Sequence, residues 1–118
     1  MLERLRAMLV QGLVSGKHVE AELEDVELAG QRATALALVF SELLGNALEH
    51  GGDRIRIGLR REGDDAVLTV SDDGAGRGGA VDGTGMSIVR ALVHDELRGS
   101  LELVDERGLC ARVLFPLG

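Results

Sequence analysis

Five short stretches of this chain alternate between apolar and polar residues with period two, and nothing else in the sequence constrains the fold as tightly. Val19, Ala21 and Leu23 alternate with Glu20, Glu22 and Glu24. Ile55, Ile57 and Leu59 alternate with Arg54, Arg56 and Arg60. Ala66, Leu68 and Val70 alternate with Val67, Thr69 and Ser71. Leu101 and Leu103 flank Glu102, and Leu109, Ala111, Val113 and Phe115 close the series. Successive side chains of a strand point to opposite faces. Alternation of this kind predicts a sheet with one face on a core and one in water. Trp and Tyr are absent and Phe occurs twice, so that core is built from Leu, Val, Ile and Ala.

Two stretches read with helical spacing instead. Gln31 to His50 is long and apolar on most sides. Gly85 to His94 is shorter, with Met86, Val89, Leu92 and Val93 as its apolar stripe. A further helical pattern, Leu2, Leu5, Leu9 and Val10, stops at Gly12 and the Ser15-Gly16 pair. It reads as a terminal helix, or over 1–16 as the tail of a helix from an upstream dimerisation domain. The element order predicts an α+β, two-layer sandwich in which helices cover one face of a mixed, mostly antiparallel sheet. The length of 118 residues predicts one domain over 1–118.

The formal net charge of −7 argues against a nucleic-acid partner, which needs a basic surface to neutralise phosphates. One cysteine, Cys110, excludes an intrachain disulfide and reads as a small core residue. It fits a reducing, cytoplasmic setting. No apolar run reaches the roughly 20 residues needed to span a bilayer. The sequence therefore predicts no direct membrane contact by this segment, though an anchor elsewhere in a longer parent is compatible with it.

Three segments carry candidate chemistry. Glu42 and Asn46 are four apart on the long helix and share a face, with Gly45 beside them. An amide oxygen can ligate Mg²⁺ and a carboxylate can order a water or a proton acceptor. The same pair also suits a solvent-facing stripe. In Val70-Ser71-Asp72-Asp73-Gly74-Ala75-Gly76, Asp72 continues the apolar face of Ala66, Leu68 and Val70. A carboxylate there needs a partner, such as an exocyclic amino group; an Asp-Gly turn is the alternative. Gly83-Thr84-Gly85-Met86 opens the second helix, where free backbone N–H groups and the helix dipole favour phosphate. The spacing is not that of a P-loop.

In this order, Glu42-x-x-x-Asn46, Asp72-x-Gly74-x-Gly76 and Gly83-x-Gly85 resemble the GHKL ATP-binding superfamily, from about Val19 to Pro116. The resemblance implies ATP and Mg²⁺ as cofactors. It implies that Asn46 chelates the metal, Glu42 sits near the γ-phosphate as base or water organiser, and Asp72 binds the adenine amino group. Gly74 and Gly76 would shape the adenine pocket. Gly83, Thr84, Gly85 and Met86 would line the phosphate side. Residues Arg77 to Asp82 would form a lid, with Arg77 as a nucleotide contact, and His50 would contact ribose or phosphate or else cap its helix. His18 and His94 read as structural.

Two positions depart from the pattern. Glu49 stands where many kinases carry a lysine, and Gly108-Leu109 replaces a Gly-Thr pair. Within the superfamily, Ser87 to Val93, a Leu97-Arg98-Gly99-Ser100 hairpin and Phe115-Pro116 resemble the catalytic domains of bacterial sensor histidine kinases. The group with a second-type dimerisation domain fits best. The implied partners are a dimerisation domain carrying the phosphoacceptor histidine and a downstream response regulator. Two other readings stand beside this one. An anti-sigma-factor serine kinase would sequester a sigma factor or phosphorylate its antagonist, and a degenerate nucleotide-binding regulatory domain would lack transfer activity.

Overall fold

The computed structural model describes residues 18–28, 30–50, 54–73, 84–105 and 109–117. Strand β1 (His18–Leu23) is followed by helix α1 (Gly30–His50), β2 (Arg54–Glu62), β3 (Asp65–Asp72), helix α2 (Thr84–Asp95), β4 (Ser100–Asp105) and β5 (Leu109–Pro116). The five strands form one sheet in the order β1-β2-β3-β5-β4. β1 and β2 are parallel, which requires a crossover, and α1 supplies it. The other three pairings are antiparallel. The predicted mixed α+β sandwich is the observed fold, with the helix boundaries one or two residues wider than their sequence pattern.

The register explains the core. Ile55, Ile57 and Leu59 lie beside Asp72, Val70 and Leu68. Val70, Leu68 and Ala66 lie in turn beside Ala111, Val113 and Phe115. Partners across a ladder share a face, so this row makes a continuous apolar surface. Helix α1 covers it with Leu36, Val39, Phe40, Leu43, Leu44 and Ala47, and α2 with Met86, Val89 and Val93. Phe40 and Phe115 are fully buried.

The outer face is wetter but not wholly polar. Val67 lies on it and is nevertheless 1% exposed, between Arg60 of β2 and Leu114 of β5. The stem of an arginine can cover apolar surface in this way. Cys110 also projects from the outer face, level with Ser71 and Val104. This corrects its reading as a core residue: it is half-buried, on the side of the sheet away from the helices. Burial pushes its thiol pKa up; Arg112 opposes the shift and Glu102 adds to it.

The sandwich has two distinct ends. At the turn end, β2 and β3 meet in a two-residue connection with Gly63 at φ 64, a value glycine adopts without strain. Pro116 ends β5 beside Asp65, and the Leu117 N–H donates to Asp64 O at 2.8 Å. Helix α1 starts at this end and α2 finishes there. At the other end, the Asp72 end, β3 stops opposite the start of β2, with Ile55 facing Asp72. Helix α1 finishes there, because only 51–53 separate His50 from Arg54.

The Leu97-Arg98-Gly99-Ser100 segment is not a hairpin. It is the exit of α2. The Gly99 N–H donates to Val93 O at 2.9 Å, and Arg98 holds the left-handed conformation at φ 58. The bond reaches back six positions, and a left-handed residue just past the last turn is how many helices terminate. Leu97 is fully buried beneath it. Gly99 is required by close approach: a Cβ there would stand 2.0 Å from Leu114 O.

Candidate functional site at the Asp72 end

Helix α1 carries the first two site residues. Ala35 and Val39 are buried, and Glu42 and Asn46 lie two turns further along the same stripe. The stripe is therefore packed toward the turn end and half-buried at Glu42 and Asn46. Among the described residues neither side chain makes a hydrogen bond or ion pair. Gly45, between them, is not demanded by described packing, since a Cβ there would meet nothing within 4 Å. In a helix interior glycine costs about 1 kcal/mol relative to alanine. That cost leaves room beside Asn46.

Asp72 ends β3 half-buried on the helix-facing side, in line with Val70 and Leu68 as the sequence predicts. Its neighbour Asp73 has a structural task the sequence reading missed. The Arg54 N–H donates to Asp73 Oδ1 at 3.0 Å, and the Asp73 N–H donates to Arg54 O at 3.2 Å. This pair closes the sheet under Asp72 and holds the end of β3 against the start of β2. An acidic residue directly after a strand can do this, but alternation, which puts Asp72 on the helix-facing side, carries no sign that Asp73 bonds back to the first residue of β2.

The third element is the start of α2. The helix leaves at the turn end, and its 12 residues span about 18 Å at 1.5 Å per residue. Its N-terminus therefore lies back toward Asp72, and its first-turn N–H groups have no partner within the helix. Met86 is 2% exposed and part of the core, so its side chain anchors this turn. Thr84 and Gly85 belong to the helix, as does His50 at the end of α1; their side chains lie outside the described structure. Gly74, Gly76, Arg77 and Gly83, with the whole predicted lid, also lie outside the described residues.

The structure thus brings Asn46, Asp72 and the start of α2 to one end of the sandwich, with Glu42 about one helical turn further in. Among the described residues no group of three or more His, Cys, Asp or Glu could hold a metal. His18 and His94 are exposed, His94 with Nδ1 2.8 Å from Asp95 Oδ1, so neither packs as a structural histidine would. No described helix is long and apolar enough to cross a membrane.

Sequence reasoning also missed Arg32. It sits in the first turn of α1, where a positive charge opposes the helix dipole. Its Nη1 donates to Leu117 O at 3.4 Å, and its Nη2 to Leu97 O at 3.2 Å and to Pro116 O. The unfavourable placement was the available signal.

Known proteins share this architecture. Residues 31–118 match the family described as histidine kinase-, DNA gyrase B-, and HSP90-like ATPase. Sensor histidine kinase PdtaS of Mycobacterium tuberculosis is 38% identical over 104 residues, covering 77% of this chain and 21% of that protein. The chain thus spans about a fifth of the length of the curated relatives it matches. The histidine kinase domain of the Erythrobacter litoralis EL346 blue-light activated histidine kinase superposes with a TM-score of 0.85 at 23% identity, over 97% of this chain and 59% of that one. A mycobacterial sensor histidine kinase, MprB, superposes with a TM-score of 0.82 at 19% identity, over 98% of this chain and 93% of that one. Family match and fold agree with the geometry: the chain belongs to the histidine kinase-, DNA gyrase B- and HSP90-like ATPases, and its curated relatives in that family are sensor histidine kinases.

Proposed function

We propose that this chain binds Mg-ATP at the Asp72 end and, within a longer parent, serves as the catalytic domain of a sensor histidine kinase. The observation that carries this reading is the convergence of three chemically distinct elements at one end of a two-layer sandwich. A helix offers an amide and a carboxylate, a strand ends in a carboxylate, and a second helix turns its N-terminus toward both.

Asp72 is the adenine-reading group: a carboxylate accepts from an exocyclic amino group and rejects an acceptor in its place. The first-turn N–H groups of α2, from Thr84 and Gly85 onward, receive phosphate oxygens. Gly74 and Gly76 shape the base pocket, Gly83 continues the phosphate side, and Arg77 and His50 add nucleotide contacts. Magnesium binds hard oxygen donors and usually keeps phosphate oxygens and waters as its other ligands. Asn46, half-buried with its amide unengaged among the described residues, fits a single protein ligand of that kind. The metal supplies charge neutralisation between the phosphates. Glu42, one turn away, orients the attacking group or takes its proton. The chain carries a net charge of −7, so phosphate binding leans on the metal and backbone dipoles more than on side-chain cations.

The group that receives the phosphoryl in this reading is a histidine on a separate dimerisation domain of the parent, which then passes it to a response regulator. The identity to sensor histidine kinases favours this over an anti-sigma-factor kinase. Calorimetric titration with Mg-ATP tests the binding step. Micromolar to sub-millimolar affinity is expected, with a loss of at least tenfold in Asp72→Asn. An intact chain that binds no Mg-ATP at millimolar concentration refutes the proposal.

A further inference from the structure

Arg32 lies at the turn end, away from Asn46 and Asp72, yet its contacts bear on the pocket. Its guanidinium joins three separate parts of the chain. Nη2 reaches Leu97 O, two residues past the end of α2, and Pro116 O, at the end of β5; Nη1 reaches Leu117 O. The Leu97 carbonyl lies at the negative end of the α2 dipole, so the positive charge that is unfavourable at the start of α1 is favourable there. The clamp also costs something: Arg32 Nε is buried and has no hydrogen-bond partner among the described residues. An apolar side chain could fill this place without that cost, but it could not fix the two helices in register.

The two helices are the two sides of the proposed phosphate site. Helix α1 carries Asn46 and Glu42, while α2 presents its N-terminus. Asp72 belongs to neither, since it sits on the sheet. Between the helices' turn-end termini, Arg32 is the polar link that the described residues provide. A rigid α2 of 12 residues transmits a shift at Leu97 directly to Thr84, and a displacement of about 1 Å at a binding group is enough to lose much of its contribution.

We infer that Arg32 is a positioning residue for the phosphate half of the pocket. It ties the end of α2 to the start of α1 and thereby sets the distance from the α2 N-terminus to Asn46, without touching nucleotide. The inference rests on the nucleotide reading given above. It has a signature that general stabilisation does not have. Loss of Arg32 weakens the phosphate increment of binding and leaves the adenine contact on β3 intact.

The test compares Mg-ATP and adenosine, each measured by competition with a fluorescent ATP analogue, on the 118-residue chain and on Arg32→Met and Arg32→Lys. In Arg32→Met the Mg-ATP affinity falls about tenfold or more and adenosine changes less than twofold. The ratio of the two affinities therefore falls about tenfold. Arg32→Lys keeps the charge and some donors and recovers part of that ratio, and it serves as the folded comparison if Arg32→Met unfolds. Amide hydrogen exchange of α2 beyond its first turn accelerates in both variants while β3 stays protected. An unchanged ratio in variants with a lowered melting temperature overturns the inference and leaves the nucleotide reading standing. A wild-type chain that binds neither ligand overturns both.

Discussion

The two ends of the sandwich are built from the same elements and treated in opposite ways. At the turn end the start of α1 and the ends of α2 and β5 are tied down. Arg32 gathers three carbonyls, Gly99 closes α2, and Leu117 bonds back to Asp64. At the Asp72 end the polar side chains of α1 make no such ties among the described residues, and a glycine takes the place of a packing residue. Buried polar groups are ordinarily satisfied within the fold. At the turn end the rule holds but for Arg32 Nε; at the Asp72 end Glu42 and Asn46 are half-buried and stay open to a partner from outside the described residues. In the proposed reading, the turn end fixes the helices and the Asp72 end meets the nucleotide.

That contrast can be broken by substitution. The largest effect belongs to the core that both ends share. Phe40→Ala should lower the unfolding free energy by about 4 kcal/mol, read by urea denaturation, because Phe40 is fully buried between α1 and the sheet. Next, Gly99→Ala should cost about 3 kcal/mol, since its Cβ would run into the Leu114 carbonyl. Wild-type stability in that variant would show that the β4 entry can move. At the Asp72 end the sign reverses. Gly45→Ala should raise stability by up to about 1 kcal/mol, with any penalty confined to Mg-ATP affinity. If it destabilises, the space beside Asn46 is not free.

The smallest effect concerns Cys110. Its thiol pKa is raised by burial, so the folded state holds the proton to higher pH than the unfolded chain does. Stability from this group is complete below the ordinary thiol pKa and is lost as pH climbs through the folded value. Cys110→Ser should flatten the alkaline limb of a stability–pH curve slightly, and alkylation of native Cys110 near neutral pH should be slower than that of a free thiol.

Much of this was legible beforehand, for physical reasons. Period-two alternation reports which side of a strand meets a core, so Ile55, Ile57, Leu68, Val70 and Val113 could be assigned their face without a structure. The spacing of Glu42 and Asn46 fixes them to one side of a helix, because 3.6 residues per turn leaves no other arrangement. The order of the three glycine- and carboxylate-bearing segments was enough to indicate the superfamily. What escaped the sequence was long-range. Arg32 reads as an ordinary surface arginine until α2 and β5 end beside it. Leu97 to Ser100 reads as a turn, and only the left-handed Arg98 and the six-residue bond to Val93 make it a helix exit. Val67 looks like a wet-face residue because local alternation cannot register what neighbouring strands bring beside it, here Arg60 and Leu114.

The sequence by itself therefore determined the elements, their inward faces and the residue types brought to the pocket, since each depends on spacing within a few turns or strand steps. The tertiary structure decided the strand order, the direction of each helix and the tying of one end. Those follow from which distant segments meet, and local periodicity carries no record of that.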